Sequence, residues 1–481
     1  MSDQEGETTH LVDDIRGGSA RGGGAASVAG DEHDWRTAGN GSIFFDNRTF
    51  SSLEEMRGSL LESCCPGDGV LSGALGLVTT ACTPTMLSLP LAFVVGGWSF
   101  AILCVLFCVI VAFLSVRILA LASLSADSDD YETVAGFFLG AKGCWVIRFI
   151  LFFYSFGCAV VYLNFIKDSV TPVLVGRASF LPDWMRSDTG GSICLIASML
   201  IITPLTFNSR LASLRTKGLV SNIFTVFIIF TIAYRFFVPQ TVPGGAKTHP
   251  TKDASASANT DFSTGRLAVA LPYMFSAPIF VFSYEVQSNV MAVIKDLHDR
   301  TGRKILVSTS LALGVVSIFY VALGILGSLT FPRLSNGNIL SNYNVETDLL
   351  MMVCQLMCCF SAAVSFVFCI FPCRLAAFMF LSGGGGTKIP KRTRTKLGVV
   401  LSALCCILAI FLPDVAKVVS VLGALFSATL SMTFPALFAM KMRSSGTYLT
   451  GWVDALLSWG LLFMGLLFSA IGTYMAFVFS S

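Results

Sequence analysis

The chain is 481 residues long, 54% hydrophobic and only 13% charged, with a mean hydropathy of +0.74. Soluble domains carry about 25% charged residues, so this composition excludes an ordinary globular protein and points to one built into a membrane. A net charge of +3 is too small to argue for a nucleic-acid partner, and none is expected.

Residues 1–67 are polar, with Gly-rich and acidic pieces such as GGSARGGGAASVAGDEHD. This composition cannot bury a core, so a disordered cytosolic tail is expected, without a cleavable leader. Residues 68–481 form the second unit, the membrane domain. The 15 cysteines sit in apolar spans or beside them, which gives no disulfide framework. Cys64 and Cys65, just before the first span, are either plain juxtamembrane thiols or acylation sites.

A span needs about 20 mostly apolar residues. On that rule the expected fold is all-α and integral to the membrane, with eleven transmembrane helices at 70–95, 99–123, 144–168, 190–208, 217–238, 265–290, 304–330, 348–373, 396–413, 416–440 and 452–478. Lys and Arg collect in the loops after spans 4, 6, 8 and 10, as at Arg210, Arg215, Lys295, Arg300, Lys391, Arg392, Lys441 and Arg443. The opposite side has few. The bias predicts an N-terminus inside and a C-terminus outside, and an odd span count requires that opposition. The 239–264 loop, rich in Pro, Gly, Ser and Thr, then lies outside.

Two spans depart from the plain apolar pattern. The first contains TTACTPTMLSLP, Thr79–Pro90, with hydroxyls at Thr79, Thr80, Thr83, Thr85 and Ser88 and prolines at Pro84 and Pro90. Proline lacks a backbone N–H and crowds the preceding turn, so a broken helix is expected here. In lipid such a break is tolerated only where it is buried in protein or lines a cavity. The alternative is a simple kink, with the threonines bonded back to the preceding turn. The sixth span carries Pro272 and Pro278 together with Ser276, Ser283, Tyr284, Glu285, Gln287 and Asn289. Two interrupted segments five spans apart predict a five-plus-five inverted repeat with discontinuous helices 1 and 6 and a binding site between them. Half-helix N-termini attract an anion and freed carbonyls a cation, a combination that suits the zwitterion of an α-amino acid.

At this point the chain resembles the amino acid/auxin permease family, within the larger APC superfamily. Met86–Pro90, MLSLP, resembles the family's first-span G-x-G-I-L-x-L-P. Val161–Asp168, VYLNFIKD, is similar to its VxYLxFIxD, and Thr203–Arg215 to its FPLSxLxxLxxLR turn. Phe282–Leu297 resembles the sixth-span motif, and Phe371–Arg374 its FPxR. The resemblance implies a five-plus-five inverted-repeat transporter fold and secondary active transport of amino acids by alternating access. It also places the family's small glycines on Thr83 and Thr85, a sodium-site asparagine on Thr79 and that site's hydroxyl on Ser365.

The expected substrate-binding residues are Thr79, Thr83, Thr85, Met86, Phe280, Ser283, Tyr284 and Glu285. The expected coupling-ion residues are Thr79, Ser365 and Glu285. A carboxylate is expected near Thr83–Met86 and an amine at the carbonyls near Phe280–Ser283. Each hydroxyl has interhelical hydrogen bonding as its alternative role, and each aromatic has plain packing.

Glu285 is the one acid placed well inside a span, where a charge costs about 2.5–3.5 kcal/mol on insertion scales. Three roles are open to it: binding a cationic side chain, accepting the coupling proton, or pairing with a base such as Arg117 or Arg148. Proton coupling is preferred over sodium, because Glu285 is present and position 79 lacks asparagine. No phosphate-cradling motif, metal site or cofactor is expected, and the protein is read as a non-enzyme. The expected partners are an amino acid substrate and the lipid bilayer, the protein acting as a monomer in a plasma or vacuolar/lysosomal membrane. A membrane amino-acid sensor signalling through its N-terminal tail is the rival reading.

Overall fold

The computed structural model describes residues 70–128, 130–177, 182, 188–207, 215–238, 270–288, 290–291, 302–334, 336–382, 389–446, 449 and 451–480. The expectations for the 1–67 tail, Cys64–Cys65, the 239–264 loop, the inner-loop bases from Lys295 to Arg300 and Asn289 lie outside these residues.

All the described regular structure is helical. The helices are α1 (Val70–Ala81), α2 (Leu89–Gly96), α3 (Trp98–Ala126), α4 (Tyr131–Arg177), α5 (Asp188–Leu205), α6 (Arg215–Phe237), α7 (Leu271–Ser283), α8 (Gly302–Thr330), α9 (Leu349–Leu381), α10 (Lys391–Phe411), α11 (Val415–Leu422), α12 (Phe434–Ser444) and α13 (Trp452–Ser480). Among the described residues, eight helical stretches are long and apolar enough to cross a membrane, or nine when the α1–α2 pair, bent by 48°, is counted as one. Two shorter apolar helices, Thr189–Leu205 and Leu271–Ser283, stand where the fourth and sixth spans were expected. Large apolar side chains such as Leu200, Ile201, Phe230, Ile318, Phe411 and Phe463 face outward. That belt suits hydrocarbon and not water, and it makes the protein a multi-pass membrane protein.

Two elements differ from the sequence pattern. The third span starts earlier than expected, at Tyr131, and turns at Gly140 (φ 73°, ψ −173°), a backbone conformation that glycine enters without steric penalty. The tenth runs from α11 to α12 through two π-helical stretches, Gly423–Ser427 and Thr429–Thr433. A side chain at Gly423 would meet the backbone carbonyl of Pro278, so the missing Cβ lets α7 approach closely. Ser420 Oγ donates to the Phe275 carbonyl at 2.9 Å across the same junction.

The pairing of helices positions the site. α2 packs on α7, α3 on α8, α4 on α9 and α5 on α10, with α4 and α9 sharing the most extensive interface. In the span numbering expected from the sequence these are 1 with 6, 2 with 7, 3 with 8 and 4 with 9. Ion pairs clamp the periphery. Arg117 meets Asp454 at 3.0 Å, Arg148 meets Glu132 at 2.7 Å, and Arg235 meets Asp348 at 2.7 Å.

Candidate functional site

The first break lies between α1 and the tight 3₁₀ turn Pro84–Ser88 that leads into α2. Thr83 precedes a proline, and such a residue is driven out of the helical region. It is extended, with φ −106° and ψ 164°. The Thr83 N–H turns back to the Ala81 carbonyl at 2.8 Å, and the Met86 N–H reaches the Thr83 carbonyl at 3.2 Å. The Thr83 and Thr85 hydroxyls hydrogen-bond each other at 2.7 Å. The Tyr162 side chain of α4 faces both Thr83 and Ser365.

The second break does not fall on a proline. α7 continues past Pro278 and stops at Ser283, where Tyr284 leaves the helix with ψ 8°. Glu285 and Val286 are non-helical, and helix resumes at Gln287. Glu285 caps the restart. Its Oε1 accepts from the Ser288 N–H at 2.8 Å and its Oε2 from the Ser288 hydroxyl at 2.9 Å, an N-cap arrangement three residues ahead of the donor. The Tyr154 side chain of α4 faces Glu285. The Val286 N–H goes to Gln287 Oε1 at 2.9 Å. The anion-attracting end of the restarted helix is thus already filled by its own residues.

Both breaks leave carbonyls at helix C-termini, which carry partial negative charge. Ala81 ends α1 and Ser283 ends α7, and the two carbonyls converge on one hydroxyl. Tyr320 Oη of α8 lies 2.8 Å from the Ala81 oxygen and 2.9 Å from the Ser283 oxygen. The Tyr320 ring meets that of Tyr284 edge-on at 5.1 Å, and the Tyr284 hydroxyl donates to Ser317 Oγ at 2.9 Å. Glu285 is 5% exposed and Tyr320 1%, so the junction is closed to the surroundings.

Of the residues expected from sequence, Thr83, Thr85 and Ser365 gather around Tyr162, while Ser283, Tyr284 and Glu285 form the second break. Met86 is fully buried in the 3₁₀ turn. Thr79 is not brought in by its hydroxyl, which donates to the Gly76 carbonyl of its own helix at 2.6 Å; Thr80 does the same to Leu77 at 2.9 Å. The Phe280 ring packs on Phe93 of α2 at 5.6 Å, and the Ser283 hydroxyl is spent on the Ile279 carbonyl at 2.8 Å. Among the described residues Glu285 makes no ion pair. The two bases considered for it are committed elsewhere, Arg117 to Asp454 and Arg148 to Glu132. Arg374 of the FPxR segment is buried, donates to the Thr206 carbonyl and lies over the Phe371 ring at 5.2 Å, tying α9 to the end of α5.

Sequence reasoning missed Tyr154, Tyr162, Ser288, Ser317 and Tyr320. A signal for the first two existed: Tyr154, Cys158 and Tyr162 recur every four residues on one face of an otherwise apolar helix. Tyr320 had no such signal.

A family model described as transmembrane amino acid transporter protein matches residues 66–478. The chain is 24% identical over 281 residues to the vacuolar amino acid transporter 5 of Schizosaccharomyces pombe, covering 57% of this chain and 61% of that protein. It is 22% identical over 428 residues to the amino acid transporter AVT6E of Arabidopsis thaliana, covering 85% and 83%. It is 22% identical over 340 residues to the sodium-coupled neutral amino acid symporter 2 of Danio rerio, covering 68% and 66%. The chain thus spans about six tenths of the length of the Schizosaccharomyces pombe relative. Crystal structures of two mutant forms of the Eremococcus coleocola manganese transporter align over 84% of this chain and 85% of theirs, with a TM-score of 0.48 and 11% identity.

Proposed function

The chain belongs to the family of transmembrane amino acid transporter proteins, and on that premise we propose that it is a secondary active carrier of amino acids working by alternating access. The observation that carries this reading is the convergence of two broken helices at one buried point, with the carbonyl ends of α1 and α7 within reach of a single hydroxyl. A channel has no need of such a closed junction; a carrier uses it to occlude its cargo.

The substrate's ammonium meets the carbonyls at the ends of α1 and α7. Its carboxylate goes to the first break, around Thr83–Met86, because the N-terminal end of the second break is already capped by Glu285. Eleven spans follow when the bent pair and the two short apolar helices are each counted with the eight long stretches. The partnering of each helix with the one five spans on supports a five-plus-five inverted repeat. The N-terminus lies on the cytosolic side by the distribution of basic residues. Proton coupling is favoured, with Glu285 as the group that takes up the proton: it is buried, it has no basic partner among the described residues, and it sits at the second break itself.

Purified protein in proteoliposomes tests this. Saturable uptake of radiolabelled amino acids, stimulated by an inward pH gradient and accelerated by amino acid on the far side, is the expected result. Specific binding without flux would overturn the carrier reading in favour of a sensor, and non-saturating flux would favour a channel.

A further inference from the structure

Two carbonyl oxygens at helix C-termini, buried and a few ångströms apart, form a site that attracts positive charge. In this structure one phenolic hydroxyl bridges them: it is the donor that meets the Ser283 carbonyl, while the Ala81 carbonyl also accepts from the Thr83 N–H at 2.8 Å. We propose that the Tyr320 hydroxyl is a resident stand-in for the substrate's ammonium group: it bridges the ends of α1 and α7 in the empty carrier, yields to the ammonium when substrate binds, and so lets the empty carrier close and reorient.

The inference rests on the reading of the two breaks as the amine receptor and goes beyond it. Three further contacts support it. Tyr320 sits on α8, which packs against α1 and α2 and not only against its neighbours in sequence, so its hydroxyl reports on the first span and the sixth together. Its ring lies edge-on to Tyr284, the residue at which α7 leaves the helix. Ser317, one turn earlier on α8, holds the Tyr284 hydroxyl at 2.9 Å. One face of α8 therefore secures the second break at two points and the first at one. A carrier must pass through a closed state twice per cycle, once loaded and once empty. With substrate, the ammonium brings several protons to the carbonyls. Without it, the Ser283 carbonyl needs another donor, since an unmet buried carbonyl is costly; the Ala81 carbonyl keeps the Thr83 N–H. Tyr320 is a positioning residue in this scheme, acting on the break ends and on the empty half of the cycle.

The test is Tyr320→Phe in the full chain, reconstituted in proteoliposomes, with two fluxes measured on the same vesicles. Exchange of amino acid for amino acid uses only the loaded carrier; net uptake also needs the empty carrier to return. Removing the hydroxyl is expected to slow net uptake by about tenfold or more, the change one unmet buried carbonyl implies, while exchange stays within about twofold of the parent. Equal loss of both fluxes, or loss of neither, overturns the proposal. Absence of exchange in the parent protein would instead sink the carrier reading itself. A second measurement leaves the fold untouched: 3-fluorotyrosine at position 320, followed by fluorine NMR. Its resonance is expected to move on adding the transported amino acid and not on adding the matching acid without its amine. A resonance that stays fixed with both overturns the proposal independently.

Discussion

The two helix breaks reach the same outcome by different routes. The first is written locally. Pro84 forbids its predecessor a helical conformation, Thr83 goes extended, and the chain re-enters through a 3₁₀ turn. The second has a proline five residues before it, yet α7 runs through Pro278 undisturbed and ends at Ser283. What ends it is a local cap, Glu285 on Ser288, together with two contacts from α8: Ser317 on Tyr284 and Tyr320 on the Ser283 carbonyl. The comparison teaches that a proline in a membrane helix marks a possible break, and that neighbouring helices decide whether and where it opens.

This difference can be broken most severely at Glu285. Glu285→Ala removes the acceptor for the Ser288 N–H and hydroxyl, so amino acid uptake in proteoliposomes is expected to fall by about 100-fold. Glu285→Gln keeps an oxygen for the Ser288 N–H and is expected to abolish stimulation by a pH gradient while exchange persists. Full retention of that stimulation would remove the proton-accepting role. A smaller effect is expected at the first break. Pro84→Ala restores an N–H and frees Thr83 to become helical, biasing α1 and α2 toward one rod; uptake should drop by about tenfold, and thermal unfolding should shift upward. Pro278→Ala sharpens the contrast, since the second break does not depend on it, and uptake should stay within about twofold of the parent. The smallest effect belongs to Thr79→Val, also within about twofold, because that hydroxyl serves only the Gly76 carbonyl of its own turn.

How much of this was legible follows the same division. The broken first span could be read from residues 79–90, because proline and threonine act within a turn or two. The alternative weighed there for the threonines, bonding back to the preceding turn, describes Thr79 and Thr80, whereas Thr83 and Thr85 bond to each other past the helix end. Glu285 stood out as an acid in an apolar stretch. Its companions did not, since Tyr154 is 131 positions away in the chain and Ser288 is one of many serines. The basic partners considered for it, Arg117 and Arg148, are held by Asp454 and Glu132. Pairing among distant charges depends on helix rotation, which no local pattern specifies.

By itself the sequence determined that this chain lives in a membrane, roughly where its apolar spans lie, and that its first span is a place where a helix can break. Those facts follow from transfer of apolar side chains into hydrocarbon and from the stereochemistry of proline, both of which operate residue by residue. Only the tertiary structure decided that the ends of α1 and α7 face one another and that Tyr320 lies between them. The Ala81 carbonyl finds the nearby Thr83 N–H, but the Ser283 carbonyl, left open by the end of α7, must find a donor from another helix, and which one is set by packing.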